Sequence, residues 1–132
     1  MYHKTIDYFA ELARSKTDLL KEKPAAIIIG AMMAGMYVGI GIILIFSVGA
    51  LADPASQKLI MGATFAIALT LVVFAGADLF TGYTMYMPLA VFKKSCSLGD
   101  LIKMWSVIWV FNLAGSLLLA YIFALGGGGV LI

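Results

Sequence analysis

The chain has 132 residues, of which 63% are hydrophobic and 12% charged, with a mean hydropathy of +1.04. A soluble domain is about half apolar and about 25% charged, so this composition excludes one and marks an integral membrane protein. A net charge of +2 is too small to suggest a nucleic-acid partner, and a single cysteine, Cys96, excludes an internal disulfide and a cysteine metal cluster.

A membrane span takes about 20 apolar residues, which leaves room for three spans with short connections. Residues 1–23 carry mixed charge. Tyr2, Ile6, Phe9, Ala13 and Leu20 recur at helical spacing, with Lys4, Asp7, Glu11, Arg14 and Lys21 between them. That pattern predicts an amphipathic N-terminal helix on the membrane surface or against the bundle; a solvated helical leader fits the same residues. Pro24 suits the first turn of a new helix. Residues 25–52 carry no charge and form the first span, followed by the turn Asp53-Pro54-Ala55-Ser56. Ala50-Leu51-Ala52 resembles a signal-peptidase site. The charged leader is too long, however, and the apolar run exceeds the roughly 7–15 residues of a signal peptide, so no cleavage is expected.

Residues 59–77 form the second span, which stops at Asp78; the apolar pattern resumes over 83–92. An ionised carboxylate at mid-membrane costs roughly 2.5–3.5 kcal/mol even on insertion scales, and broken backbone there has no lipid partner. Phe74 to Gly82, with an acid, a hydroxyl and two glycines, is therefore expected to be a broken helix beside a permeation route, with the loop running from Asp78 to Gly82. Lys93-Lys94-Ser95-Cys96-Ser97 is a basic loop, residues 98–103 enter a third helix, 104–125 form the third span, and Gly126 to Gly129 stop it. The fold class is thus all-α: three transmembrane helices, the second broken, in a half-domain over 24–132 after the leader. Lys4, Arg14, Lys16, Lys21, Lys23, Lys93, Lys94 and Lys103 lie on one side and Lys58 alone on the other. This places the N-terminus in the cytoplasm and argues against insertion both ways up.

Gly35 and Gly39, with Ala31 one turn earlier, form a row of small residues; Gly41 and Gly49 add gaps, as do Ala114, Gly115 and Ser116 in the third span. Such rows let helices approach closely, within a bundle or between subunits. Asn112 needs partners for its amide, and either the loop at 78–82 or a generic interhelical contact would supply them. Phe65 and Leu69 share a face, while Leu79 and Phe80 lie at the break. Bulky apolar groups beside a polar point make dry constrictions, though Phe65 and Leu69 equally suit packing. Thr81 either donates its hydroxyl to an anion or caps the helix. Asp78, either a pore charge or a cap for loop amides, is expected to cap, leaving Thr81 and Gly82 at a helix N-terminus whose partial positive charge suits an anion. His3, in the leader, has no pore or metal role. The chain carries no Ser/His/Asp set, metal-ligand spacing or phosphate loop, so neither an enzyme nor a cofactor is expected.

Gly76-Ala77-Asp78-Leu79-Phe80-Thr81-Gly82 resembles the signature of the formate/nitrite transporter family. Residues 39–46 and 61–65 look most like its nitrite-channel branch, and Asn112-Leu113-Ala114-Gly115 is similar to its third-helix motif. The resemblance covers essentially the whole chain. It implies a homopentamer in the bacterial inner membrane with one pore per protomer for small monovalent anions such as nitrite or formate. It also implies an aquaporin-like channel fold of two inverted three-helix repeats. Its loop triplet would be Leu79, Phe80 and Thr81, and its narrow points Phe65 and Leu69. Only the first repeat is represented; the family's pore histidine on the fifth helix and its pore lysine after the third have no counterpart here. An inverted complement is expected from a second polypeptide, from further residues or from an upside-down copy, the last disfavoured by the charge bias. The readings are then half of an anion channel, a non-conducting assembly subunit that needs a complementary C-terminal half, and an independent antiparallel dimer.

Overall fold

The computed structural model describes residues 2–130, and six α-helices run through them. The first, α1 (Tyr2–Glu22), is amphipathic and leans on the bundle rather than standing apart. Its buried stripe is Ala10, Ala13, Thr17 and Leu20, a spacing of three, four and three, whereas Tyr2 faces outward. Pro24 opens α2 (Pro24–Leu51) at its first turn, where a missing N–H leaves nothing unpaired. The following turn is closed by Asp53, whose carboxylate accepts from Ala55 N–H at 3.1 Å and whose carbonyl accepts from Gln57 N–H at 2.9 Å.

The second span comes in three pieces: α3 (Gln57–Thr64), α4 (Ala66–Ala75) and α5 (Phe80–Phe92). The interruption at Phe65, which nothing in the sequence announces, is slight. Phe65 keeps right-handed backbone angles and donates to the Met61 carbonyl at 3.0 Å. The real break spans 76–79, opening two residues and closing three residues earlier than the sequence suggests, so Phe80, Thr81 and Gly82 sit in the first turn of α5. Gly76 causes the early exit. At φ 64° it lets Gly76 N–H reach Val73 O and Ala77 N–H reach Val72 O, the paired bonds of a Schellman end. A matching pair closes α5, with Lys94 at φ 57° between the bonds to Val91 and Ala90. Ser97 and Asp100 then cap α6 (Leu98–Leu125) reciprocally, Asp100 N–H donating to Ser97 Oγ at 3.0 Å. The entrance and the third span are thus one continuous helix.

Three of these segments are long and apolar enough to cross a membrane: α2, the α3–α4 rod and α6. The glycine row brings α2 and α6 together inside the chain. A Cβ on Gly35 would overlap the Asn112 carbonyl, and one on Gly115 would overlap that of Met32. Gly41 opens instead toward Ala68, and Gly49 toward Met61. Behind this contact, Ile27, Tyr83, Met87, Met104 and Ile108 fill the core between α2, α5 and α6. Lys93 reaches Asp7 at 2.7 Å and Lys21 reaches Asp100 at 3.3 Å, so the basic loop and the leader lie at one end.

Candidate functional site

A helix that breaks inside lipid leaves amides and carbonyls that the surrounding protein must satisfy. Asn112, on α6, does most of this. Its Nδ2 donates to the Asp78 carbonyl at 2.9 Å and to the Ala31 carbonyl at 2.8 Å, while its Oδ1 accepts from Phe80 N–H at 2.9 Å. One side chain thereby ties α2, the break and the start of α5 to α6. The backbone of Asp78 adds a second tie to α2, its N–H donating to Gly30 O at 3.2 Å.

The Asp78 carboxylate behaves differently from the expected cap. Among the described residues it takes no backbone N–H; Asn112 holds the first amide of α5, and the carboxylate is held elsewhere. It is 6% exposed. Its Oδ1 accepts from Lys16 Nζ at 2.6 Å and from the hydroxyl of the fully buried Tyr83 at 2.7 Å. Its Oδ2 lies over Gly30, where any side chain would collide with it. Among the described residues, every buried side-chain nitrogen or oxygen has a partner.

Beside this cluster runs an open groove of about 410 Å³, walled by α1, α4, the break and α5. Leu69, Leu79 and Thr81 meet on it, with Lys16 and Asp78 at its polar side. Thr81 is exposed there, and its hydroxyl makes no hydrogen bond among the described residues; its carbonyl accepts from Thr84 Oγ1 at 2.7 Å. Gly82 keeps the wall thin, since a Cβ there would first meet the Tyr86 ring at 3.4 Å. Phe80 turns to the other side of α5, where its ring meets Trp105 edge-on at 6.1 Å. Phe65 lies one turn before Leu69, 40% exposed and outside the groove. The structure therefore gathers Leu69, Leu79, Thr81, Gly82 and Asp78 at one place, ties them to Asn112, and leaves Phe65 and Phe80 outside.

Sequence reasoning missed Lys16, Tyr83 and Gly30. A buried acid needs a cation, and Lys16 was findable by register. It falls three residues after Ala13 and four before Leu20, on the flank of the buried stripe of α1.

Three membrane-length segments, the second ending in a break whose free backbone is bound by protein, define a multi-pass membrane protein of the class that uses irregular backbone beside a cavity. The family model for formate/nitrite transporters matches residues 3–130, and the chain belongs to that family. It is 44% identical over 134 residues to a protein of Salmonella typhimurium named nitrite transporter NirC, covering 99% of this chain and 49% of that one. It is 43% identical over 116 residues to a probable formate transporter of Methanothermobacter thermautotrophicus, covering 83% and 42% respectively. A solved structure described as an FNT family ion channel superposes with a TM-score of 0.90 at 44% identity, over 95% of this chain and 50% of the other. The chain spans about half the length of the curated relatives it matches.

Proposed function

We propose that this chain forms one half of a conduction path for small monovalent anions, nitrite or formate, in a bacterial inner membrane, with its N-terminus in the cytoplasm. The observation that carries the reading is the exposed, unengaged hydroxyl of Thr81, held on an apolar groove at a break that Asn112 fixes in place. In this reading Thr81 donates to the passing anion and Leu69 and Leu79 narrow the path around it. Phe65 and Phe80 narrow it only where the complementary half of the path stands opposite them. The relatives' printed names, nitrite and formate transporter, support the anion class. The shared end of the leader and the basic loop supports the orientation, since Lys21 and Lys93 are paired there. A pentamer with one pore per protomer is the assembly this reading carries.

The test is nitrite and formate flux in proteoliposomes, for the purified chain alone and for the chain co-reconstituted with a complementary inverted half. Thr81→Val keeps the shape and removes the hydroxyl. Anion flux in the complete assembly is expected to fall roughly tenfold or more, the effect of one lost preorganised donor of about 1.5–3 kcal/mol, without change in folding. Unchanged flux removes Thr81 from the path.

One observation favours a second reading, a non-conducting assembly subunit. Leu69 and Val73 on the groove are 59% and 67% exposed, so it has no opposite wall among the described residues. In that reading the chain alone gives no flux, and reconstitution with its complement does not create any.

A further inference from the structure

We propose that the end of the molecule away from the leader holds one anionic phospholipid, its phosphate on Lys58 and an acyl chain in a slot between α2 and α6. The inference does not depend on conduction. Two hollows meet at Phe46, which lines both. The mouth, about 430 Å³, lies at the turn joining α2 to α3 and is lined by Gly49, Gln57, Lys58 and Met61. The slot, about 350 Å³, lies between Ile42 and Ile43 of α2 and Leu117, Ala120 and Phe123 of α6. The α2 positions involved, 39, 42, 43, 46, 49 and 50, recur every three and four residues and share one face about 120° wide. From residue 39 to residue 50 this face rises about 16 Å. One leaflet of the hydrocarbon core is about 15 Å deep.

The two hollows ask for opposite chemistry. Lys58 is exposed and makes no ion pair among the described residues. Asp53, the acid of the same turn, is turned onto the Ala55 amide at 3.1 Å. Gln57 Nε2 donates to Gly49 O at 2.9 Å, which fixes the amide in the wall and leaves its second N–H for a ligand oxygen. The slot is dry. Its one polar side chain, Ser116, donates to Asn112 O at 2.7 Å and offers nothing to a ligand. A cation above an apolar slot of leaflet depth suits an amphipathic anion, and lysine reaches the headgroup level from just such a position. A second copy inserted the same way up suits it less. Apart from Asp53, the acids of this chain lie in the leader, at the break or at Asp100, which pairs with the leader, so such a copy brings no free acid to Lys58.

The experiment locates the lipid directly. The protein is reconstituted in phosphatidylcholine vesicles with a trace of phosphatidylglycerol or, separately, of phosphatidylcholine, each carrying a diazirine in one tail. After illumination the labelled residues are mapped by mass spectrometry. Phosphatidylglycerol is expected to label residues 42–46 and 117–123 more than phosphatidylcholine does, because choline already neutralises the phosphate. Lys58→Met should lower that ratio roughly fivefold or more, the effect of unit charges about 4 Å apart at effective dielectric constants of about 20–80. The ratio at residues 98–103, at the leader's end, should not move. Ala120 lines the slot and is exposed, so Ala120→Trp fills the slot and should lower labelling of residues 42–46 by both lipids. Excess inorganic phosphate should displace neither. Labelling no stronger in the slot than elsewhere, or a ratio that ignores Lys58→Met, overturns the proposal. Displacement by inorganic phosphate also overturns it, by giving Lys58 to the free ion. An unlabelled slot whose Ala120→Trp variant loses assembled size on gel filtration overturns it by giving the slot to another protein chain. If Ala120→Trp does not fold, the exposed Lys58→Met decides.

Discussion

The second span is interrupted twice, and the two interruptions differ in what they demand of the rest of the molecule. At Phe65 the chain barely leaves the helix: Phe65 N–H reaches Met61 O, Ala68 N–H reaches Phe65 O at 3.0 Å, and the backbone remains right-handed. Among the described residues, no other helix lends that bend a polar group. At 76–79 the chain leaves the helix entirely, and α1, α2 and α6 each supply something: Lys16 to the carboxylate, Gly30 O to the Asp78 amide, Asn112 to both sides of the gap. A bend that stays right-handed and keeps bonds to its own turns asks little of the rest of the fold, whereas a true break is stable only inside a polar framework built from it. The groove and the exposed hydroxyl of Thr81 are found at the supported break and not at the self-sufficient bend.

The sharpest way to break this comparison is to remove the framework. Asn112→Leu keeps the volume and loses three hydrogen bonds, leaving the Asp78 carbonyl and the Phe80 amide without them. Bonds of this kind contribute about 0.6–1.5 kcal/mol each in membrane and soluble proteins, and an orphaned buried group adds to the loss. We expect a destabilisation of about 2–4 kcal/mol, measured by denaturant unfolding in detergent micelles against the parent. A loss under about 1 kcal/mol would mean that the break holds itself and that the two interruptions are alike. A smaller effect comes from the backbone alone. Gly76 sits at φ 64° with nothing within 4 Å of where a Cβ would stand, so Gly76→Ala is a purely conformational change. It should cost about 1 kcal/mol, the left-handed penalty less the entropy gained from losing a glycine, by the same unfolding measurement.

How much of this was written in the sequence depends on how local each cause is. The existence of the break was legible, because Asp78 and two glycines in an apolar run have no other stable home in lipid. Its boundaries were not. Phe80 begins a helix only because Asn112, thirty-two residues later, takes its amide. The partnership of Asn112 with the break was one of two that the needs of a lone amide left open, the other being a generic interhelical contact. The role of Asp78 did not follow. A local reading makes it a cap, while the fold has Asn112 bind the free amide and hands the carboxylate to Lys16 and Tyr83. Lys16 looks like any other lysine of the leader until the buried stripe of α1 shows which face it borders. Family resemblance named the loop triplet Leu79, Phe80 and Thr81, yet its members diverge in space, because Leu79 is still extended while Phe80 and Thr81, the first helical residues of α5, point about 100° apart. Two of them line the groove and Phe80 leans on Trp105.

The smallest expected effect tests the quiet half of the comparison. Phe65→Leu alters a 40% exposed side chain at a position whose backbone bonds involve no side chain. Surface-type substitutions away from caps and buried networks fall within about 0.5 kcal/mol, and that is the change expected in unfolding of the chain by itself. Flux in a complete assembly separates two uses of the same residue. If Phe65 serves only to pack, flux and stability both stay at parent values. If an opposing half closes on it to make a dry constriction, Phe65→Leu leaves stability where it was and raises anion leak, because a smaller apolar plug dewets less completely. A stability loss of about 2 kcal/mol or more, outside the range for exposed positions, would show that the bend at Phe65 depends on that side chain. It would then be a second supported break rather than a self-sufficient turn.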